Sequence, residues 1–116
     1  MPTVQVTTST KLNIDVKKSL ATELSASIAK ILSKPEAYVQ VVVSDDAVIA
    51  FGGHIDLLSA FVRVYSIGDI SSASCKQLSA DFADIFRKAG VDPAKLYINF
   101  CPLSGTNWGC NGTTFG

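Results

Sequence analysis

Pro2 is the residue whose type and place most invite chemistry. An initiator methionine is normally removed when a small residue such as proline follows it. Pro2 would then carry a free secondary amine, able to accept a proton or attack a carbonyl. Acylated by a retained Met1, it can do neither. Many chains begin Met-Pro without using it. What singles this proline out is the strand pattern that starts at the next residue and would hold the amine rigidly. Lys34, just before Pro35, is the second candidate. Pro35 biases Lys34 out of the α region. The lysine then stands at a seam of helix and strand, its ammonium either in water, as for most lysines, or beside a bound anion. His54, the only histidine, has no second His or Cys at ligand spacing and reads as a loop residue. Gly52-Gly53 is neither a G-x-G-x-x-G nor a phosphate loop, and no G-x-S-x-G occurs. Trp108 and Phe115 read as core or interface rather than as a cofactor platform.

These residues need elements to hold them, and the periodicity supplies them. Thr3 to Thr8 alternates, with Val4 and Val6 on one face, as a half-buried strand does. Val16, Leu20, Leu24, Ile28 and Ile31 form one helical stripe, with Asn13 or Asp15 as its N-cap and an end near Ser33. Tyr38 to Val43 reads as a buried strand, Ser44-Asp45-Asp46 as a turn and Val48 to Phe51 as a short strand. Phe61 to Ile67 is a further strand. Ser74-x-x-Gln77 has the capping-box pattern, opening a helix through Leu78, Phe82, Ile85 and Phe86 that Gly90 ends. Leu96 to Cys101 is the last long strand, before a turn-rich tail.

The halves repeat. At an offset of 58 (62 − 4), Val4 and Val6 map onto Val62 and Val64, and Leu20, Leu24 and Ile28 onto Leu78, Phe82 and Phe86. Lys34-Pro35 maps onto Asp92-Pro93, and Tyr38-Val39 onto Leu96-Tyr97. An ordered series at one offset marks a structural repeat. The expected fold is therefore α+β: one domain over residues 1–116, built of two βαβ repeats with both helices on one sheet face. Two helices leave the other face bare, and the strands read as apolar on both sides, so that face and the sheet edges call for another subunit.

Composition narrows the function classes. Hydrophobic residues are 47% and charged residues 17% of 116, enough apolar material for one core and too little charge for disorder. Ten basic residues balance ten acidic ones, which leaves no bulk electrostatic reason to bind nucleic acid or an anionic membrane. No apolar run reaches bilayer length, and the N-terminus lacks the basic and apolar regions of a secretory signal. Cys75, Cys101 and Cys110 form no C-x-x-C. Neither a disulfide scaffold nor a zinc site is expected, and the chain suits a reducing cytosol, from which any release would take a leaderless route.

Pro2, Ser33-Lys34-Pro35-Glu36-Ala37-Tyr38-Val39, Phe51-Gly52-Gly53, Ser66-Ile67-Gly68, Leu96-Tyr97-Ile98-Asn99-Phe100 and Asn111-Gly112-Thr113-Thr114-Phe115 occur in this order. In this combination the sequence resembles the macrophage migration inhibitory factor and D-dopachrome tautomerase family over essentially its whole length. The resemblance implies a tautomerase-like homotrimer of two-βαβ subunits. It implies Pro2 as catalytic base, Lys34 as the contact of a substrate carboxylate, Ile67 as a backbone N–H donor to substrate, and Tyr97 and Asn99 as residues lent to the pocket of a neighbouring subunit. The resemblance also sets Trp108 in the tail region that lines the pocket, two positions before the family's usual tryptophan place, which Cys110 occupies here. The stretch from His54 to Tyr65 lacks the C-x-x-C of the vertebrate cytokine, so thiol oxidoreductase activity is not carried over, and Asp69 changes the charge after Ile67-Gly68.

The expected reaction is keto–enol tautomerisation of a phenylpyruvate-type keto acid, or of dopachrome, without cofactor or metal. The rival is a cytokine-like signalling protein that meets a protein receptor and whose pocket is vestigial. With the family set aside, strand–helix–strand repeats also build ferredoxin-like regulatory domains, which need neither a free Pro2 nor Lys34.

Overall fold

The computed structural model describes residues 1–116. Val4 and Val6, fully buried, alternate with Thr3, Gln5 and Thr7 along strand β1 (Thr3–Thr8). Helix α1 (Ile14–Ile31) starts at Asn13, whose side-chain oxygen accepts the Val16 N–H at 2.9 Å. Asn13, not Asp15, is thus the cap, and Asp15 sits in the first turn, where a negative charge suits the helix dipole. The helix closes with two reversed hydrogen bonds: Lys34 N–H to the Ala29 carbonyl (2.9 Å) and Ser33 N–H to that of Lys30 (3.3 Å), with Ser33 at φ +52°.

A single 3₁₀ turn (Glu36–Tyr38) leads into β2 (Gln40–Ser44). The strand expected from Tyr38 starts two residues later, because Tyr38 N–H is spent on the Pro35 carbonyl at 3.1 Å. Asp45 then ties the chain back to α1, accepting from Lys17 Nζ at 2.7 Å and Leu12 N–H at 2.9 Å. These two hydrogen bonds, the lysine's first, hold its carboxyl below the ordinary value. The short strand expected at Val48–Phe51 is absent. That segment pairs only through a bridge between Phe51 and His54, since no strand of this chain runs beside it.

Strand β3 (Ala60–Ile67), helix α2 (Ser72–Lys88), strand β4 (Leu96–Leu103) and a small hairpin of β5 (Gly109–Cys110) and β6 (Thr113–Thr114) complete the chain. Helix α2 is capped by Ser71, whose hydroxyl accepts the Ser74 N–H at 3.0 Å. The expected capping box at Ser74 lies inside the helix, because the earlier serine gains a further turn. The sheet order is β2-β1-β3-β4, parallel in each outer pair and antiparallel where β1 meets β3. Leu20, Leu24 and Ile28 of α1 and Leu78, Phe82 and Phe86 of α2 pack over Val4, Val6, Val62 and Val64. Lys88 pairs with Glu23, and Ser27 hydrogen-bonds Asp81, between the two helices. The fold is the expected α+β architecture of two βαβ repeats with both helices on one face.

The repeat itself carries a correction. The N-caps Asn13 and Ser71 keep the offset of 58 (71 − 13), whereas the C-caps Leu32 and Ala89 stand 57 apart (89 − 32). Helix α2 is one residue shorter, so structural equivalence slips by one at its end. Pro35 matches Asp92 rather than Pro93, and Val41, beside Val4, matches Ile98, beside Val62. The face away from the helices is also less apolar than expected. Val42, Phe61 and Tyr97 share it with Gln5, Arg63, Asn99 and Cys101. On it Arg63 donates to Cys101 Sγ at 3.7 Å and lies over the Tyr65 ring, and Cys101 donates to Asn99 Oδ1 at 3.1 Å.

Candidate active site

Pro2 is buried one residue before β1, and its carbonyl accepts the Gln40 N–H of β2 at 3.1 Å. On the other side β1 pairs with β3 up to Thr3 opposite Tyr65. That register carried outward sets Pro2 against Ser66 and Met1 against Ile67. Pairing with β1 stops short of Ile67, and Lys34 Nζ reaches its carbonyl at 3.4 Å. Lys34 arrives there because the reversed hydrogen bonds at the end of α1 fix its backbone while Pro35 turns the chain toward β2. Pro2, Lys34 and Ile67 therefore meet at one end of the sheet. With Met1 in place the free amine belongs to Met1. Burial, and after it the Lys34 cation, hold that amine below its ordinary value.

Beside Met1 opens a cavity of about 330 Å³, walled by Tyr38, Trp108, Cys110 and Phe115. The C-terminal hairpin brings the last three residues there. Phe115 N–H binds the carbonyls of both Gly105 and Trp108 at 3.1 Å, folding the tail on itself. Residue-by-residue reading did not place Tyr38 at the site or assemble this wall. The Asn111-Gly112 pair, a strong two-residue hairpin signal, is the feature that foretells the hairpin.

Tyr97 and Asn99 are not brought to Pro2 within the chain. The register sets Tyr97 opposite Phe61, which faces Thr7. Five strand residues and two strand spacings separate it from Pro2, about 17 Å along the sheet and about 10 Å across. Asn99 lies two residues nearer. Tyr97 is 64% exposed and stacks on Phe51 instead. His54 is exposed in its turn, and no three His, Cys, Asp or Glu side chains converge as a metal set. The three cysteines are unpaired, and no helix is long and apolar enough to cross a membrane.

This doubled βαβ sheet, with a site at the open end of its first strand, defines a protein of the tautomerase-like fold. The family model described as macrophage migration inhibitory factor (MIF) matches residues 1–116. A macrophage migration inhibitory factor homolog of Trichinella spiralis is 36% identical over 116 residues, 99% of this chain and 100% of that one. The macrophage migration inhibitory factor of Xenopus tropicalis is 33% identical over 116 residues, 99% of each chain. The crystal structure of a macrophage migration inhibitory factor-like protein from Entamoeba histolytica superimposes with a TM-score of 0.92 at 30% identity, covering 98% of both chains. The chain belongs to the macrophage migration inhibitory factor family.

Proposed function

We propose that this chain, freed of Met1, is a keto–enol tautomerase of phenylpyruvate-type substrates whose base is the Pro2 amine. The observation that carries the reading is the meeting of buried Pro2, the Lys34 ammonium and the end of β3 at one end of the sheet, where burial and Lys34 hold the amine of Met1 below its ordinary value. In the reaction the proline nitrogen takes a proton from the carbon next to the substrate carbonyl. The released electron pair moves onto the carbonyl oxygen, and a proton from water gives the enol. The nitrogen passes the proton it took back to water, so no net proton is gained or lost and the sum is an isomerisation with no oxidant or reductant. Lys34 holds the substrate carboxylate, and the Ile67 N–H donates to the substrate. Tyr97 lines the pocket of a neighbouring copy, and Asn99 hydrogen-bonds the carbonyl or enol oxygen there.

That division of the site goes with a homotrimer. The bare sheet face, the edges β2 and β4, and the distance of Tyr97 from Pro2 within one chain all support it. The test is phenylpyruvate turnover by trimmed protein and by Pro2→Gly, which keeps an α-amine but makes it primary and mobile. A loss of about tenfold or more in kcat with the fold intact is expected, smaller than the roughly 10²–10⁴-fold contribution of a positioned base because an amine is kept. Undiminished turnover by Pro2→Gly, or no turnover by a well-folded trimmed trimer, contradicts the reading. The latter result favours the signalling role.

A further inference from the structure

We propose that Phe51 and Lys95 are positioning residues that brace Tyr97 for the substrate. The proposal rests on the assignment above of Tyr97 to the pocket of a neighbouring copy. Tyr97 is exposed near the start of an edge strand, where a tyrosine ordinarily samples several rotamers. Here the Phe51 ring lies 5.0 Å from it, centroid to centroid, tilted by 52°, inside the attractive range for an aromatic pair. Phe51, Phe61, Ile49 and Tyr97 line one cavity of about 250 Å³, and of the rings there Phe51 is the one paired with Tyr97.

Phe51 is itself fixed. Its N–H donates to the His54 carbonyl at 2.8 Å and its carbonyl accepts the His54 N–H at 3.1 Å, across a two-residue turn at Gly52 (φ +60°) and Gly53 (φ +81°). The positive φ at both positions makes this the tight hairpin turn that glycine pairs favour. On Phe51 sits the Lys95 ammonium, 5.0 Å from the ring centroid. Lys95 is half-buried and belongs to none of the chain's three ion pairs, so the aromatic face is its electrostatic partner. Lysine, phenylalanine and tyrosine form one stack that starts at the turn before β4 and ends at the residue offered to the neighbour. Ordering a side chain before binding removes that cost from the binding step, so the stack should act on KM more than on kcat.

The experiment compares phenylpyruvate kinetics of trimmed wild type, Phe51→Leu, Phe51→Tyr, Lys95→Met, Tyr97→Leu and the double variant Phe51→Leu/Tyr97→Leu, each checked for assembly by sedimentation. In parallel, ¹⁹F NMR of 3-fluorotyrosine-labelled protein follows the Tyr97 signal, assigned with Tyr97→Phe. Phe51→Leu is expected to raise KM about three- to tenfold with kcat within about twofold. Phe51→Tyr should restore it, and the double variant should lose no more than Tyr97→Leu alone. The Tyr97 signal should shift in Phe51→Leu, where the ring current is gone. Additive losses in the double variant overturn the proposal, as does an unmoved Tyr97 signal with unchanged KM. Should Phe51→Leu not assemble, Lys95→Met carries the test with an expected rise in KM of about twofold and a broadened Tyr97 signal, and no change in either overturns it. If the wild type does not turn over phenylpyruvate, the proposed function fails, and the ¹⁹F comparison alone decides whether Phe51 holds Tyr97.

Discussion

Pro2 can serve as a base only while neutral, and an unshifted α-amine with a pKa of roughly 8 is about nine-tenths protonated at pH 7. The Met1 amine at this site is held below its ordinary value by burial first and by Lys34 second, and an amine on Pro2, itself buried, would meet the same two effects. Both effects penalise the protonated form, so both enlarge the fraction ready to accept a proton. The rising limb of kcat/KM against pH should therefore inflect below the ordinary amine value. Lys34→Ala removes the cation and should move that inflection upward. It should also weaken binding of phenylpyruvate by about ten- to a hundredfold, the range for a lost charged hydrogen bond, while hardly affecting the uncharged methyl ester. An unmoved inflection would remove Lys34 from the site. Pro2 and Lys34 stand out in the sequence as candidates because amine and ammonium chemistry is a property of residue type and local position, and their proposed roles come from the family resemblance. Tyr38 does not, because its apolar neighbours make it look like the start of a strand.

Both helices end in the same reversed hydrogen-bond pattern, on Ser33 in the first repeat and on Gly90 in the second. A left-handed backbone costs an L-residue about 1–2 kcal/mol, and glycine gives back part of that gain as unfolded-state entropy. Ser33→Gly should thus stabilise the protein by about 0.5–1 kcal/mol. Gly90→Ala should destabilise it by about 1–2 kcal/mol through the backbone alone, since a Cβ there meets its nearest atoms at 3.9 Å, an ordinary contact. Denaturant midpoints measure both, and a destabilised Ser33→Gly would show that Ser33 has another role. Helix stripes, strand alternation and Gly90 were readable because each is a local period or a local φ requirement. The cap at Ser71 and the one-residue slip of the repeat were not. Several serines can cap the same helix, and a lost residue in a last helical turn leaves the apolar stripe intact.

As a single chain the molecule exposes 6594 Å², against about 6,100 Å² expected for a monomer of this mass. Its radius of gyration of 14.4 Å exceeds the roughly 13 Å of a compact domain this long. Excess surface, the exposed side chains of Tyr38, Val48 and Tyr97, and a Val48–Phe51 segment outside the sheet agree with the proposed assembly. Sedimentation equilibrium at micromolar concentration should give three times the 12.3 kDa chain mass, and a monomer there would contradict the shared site. A sheet with helices on one face only was legible, and it is the feature from which a partner is expected. The mixed character of the bare face was not, since an Arg63–Cys101–Asn99 contact joins residues on two strands whose pairing register no local pattern specifies.

The most direct test turns on one covalent bond. Two preparations of this sequence, one with Met1 removed and one with Met1 retained, each verified by intact mass, are compared in phenylpyruvate tautomerisation at pH 7. Trimmed protein should turn over. Protein whose Pro2 nitrogen is still an amide should be slower by about two orders of magnitude or more, the contribution of a positioned base. Equal rates from the two preparations would show that the Pro2 amine is not the base.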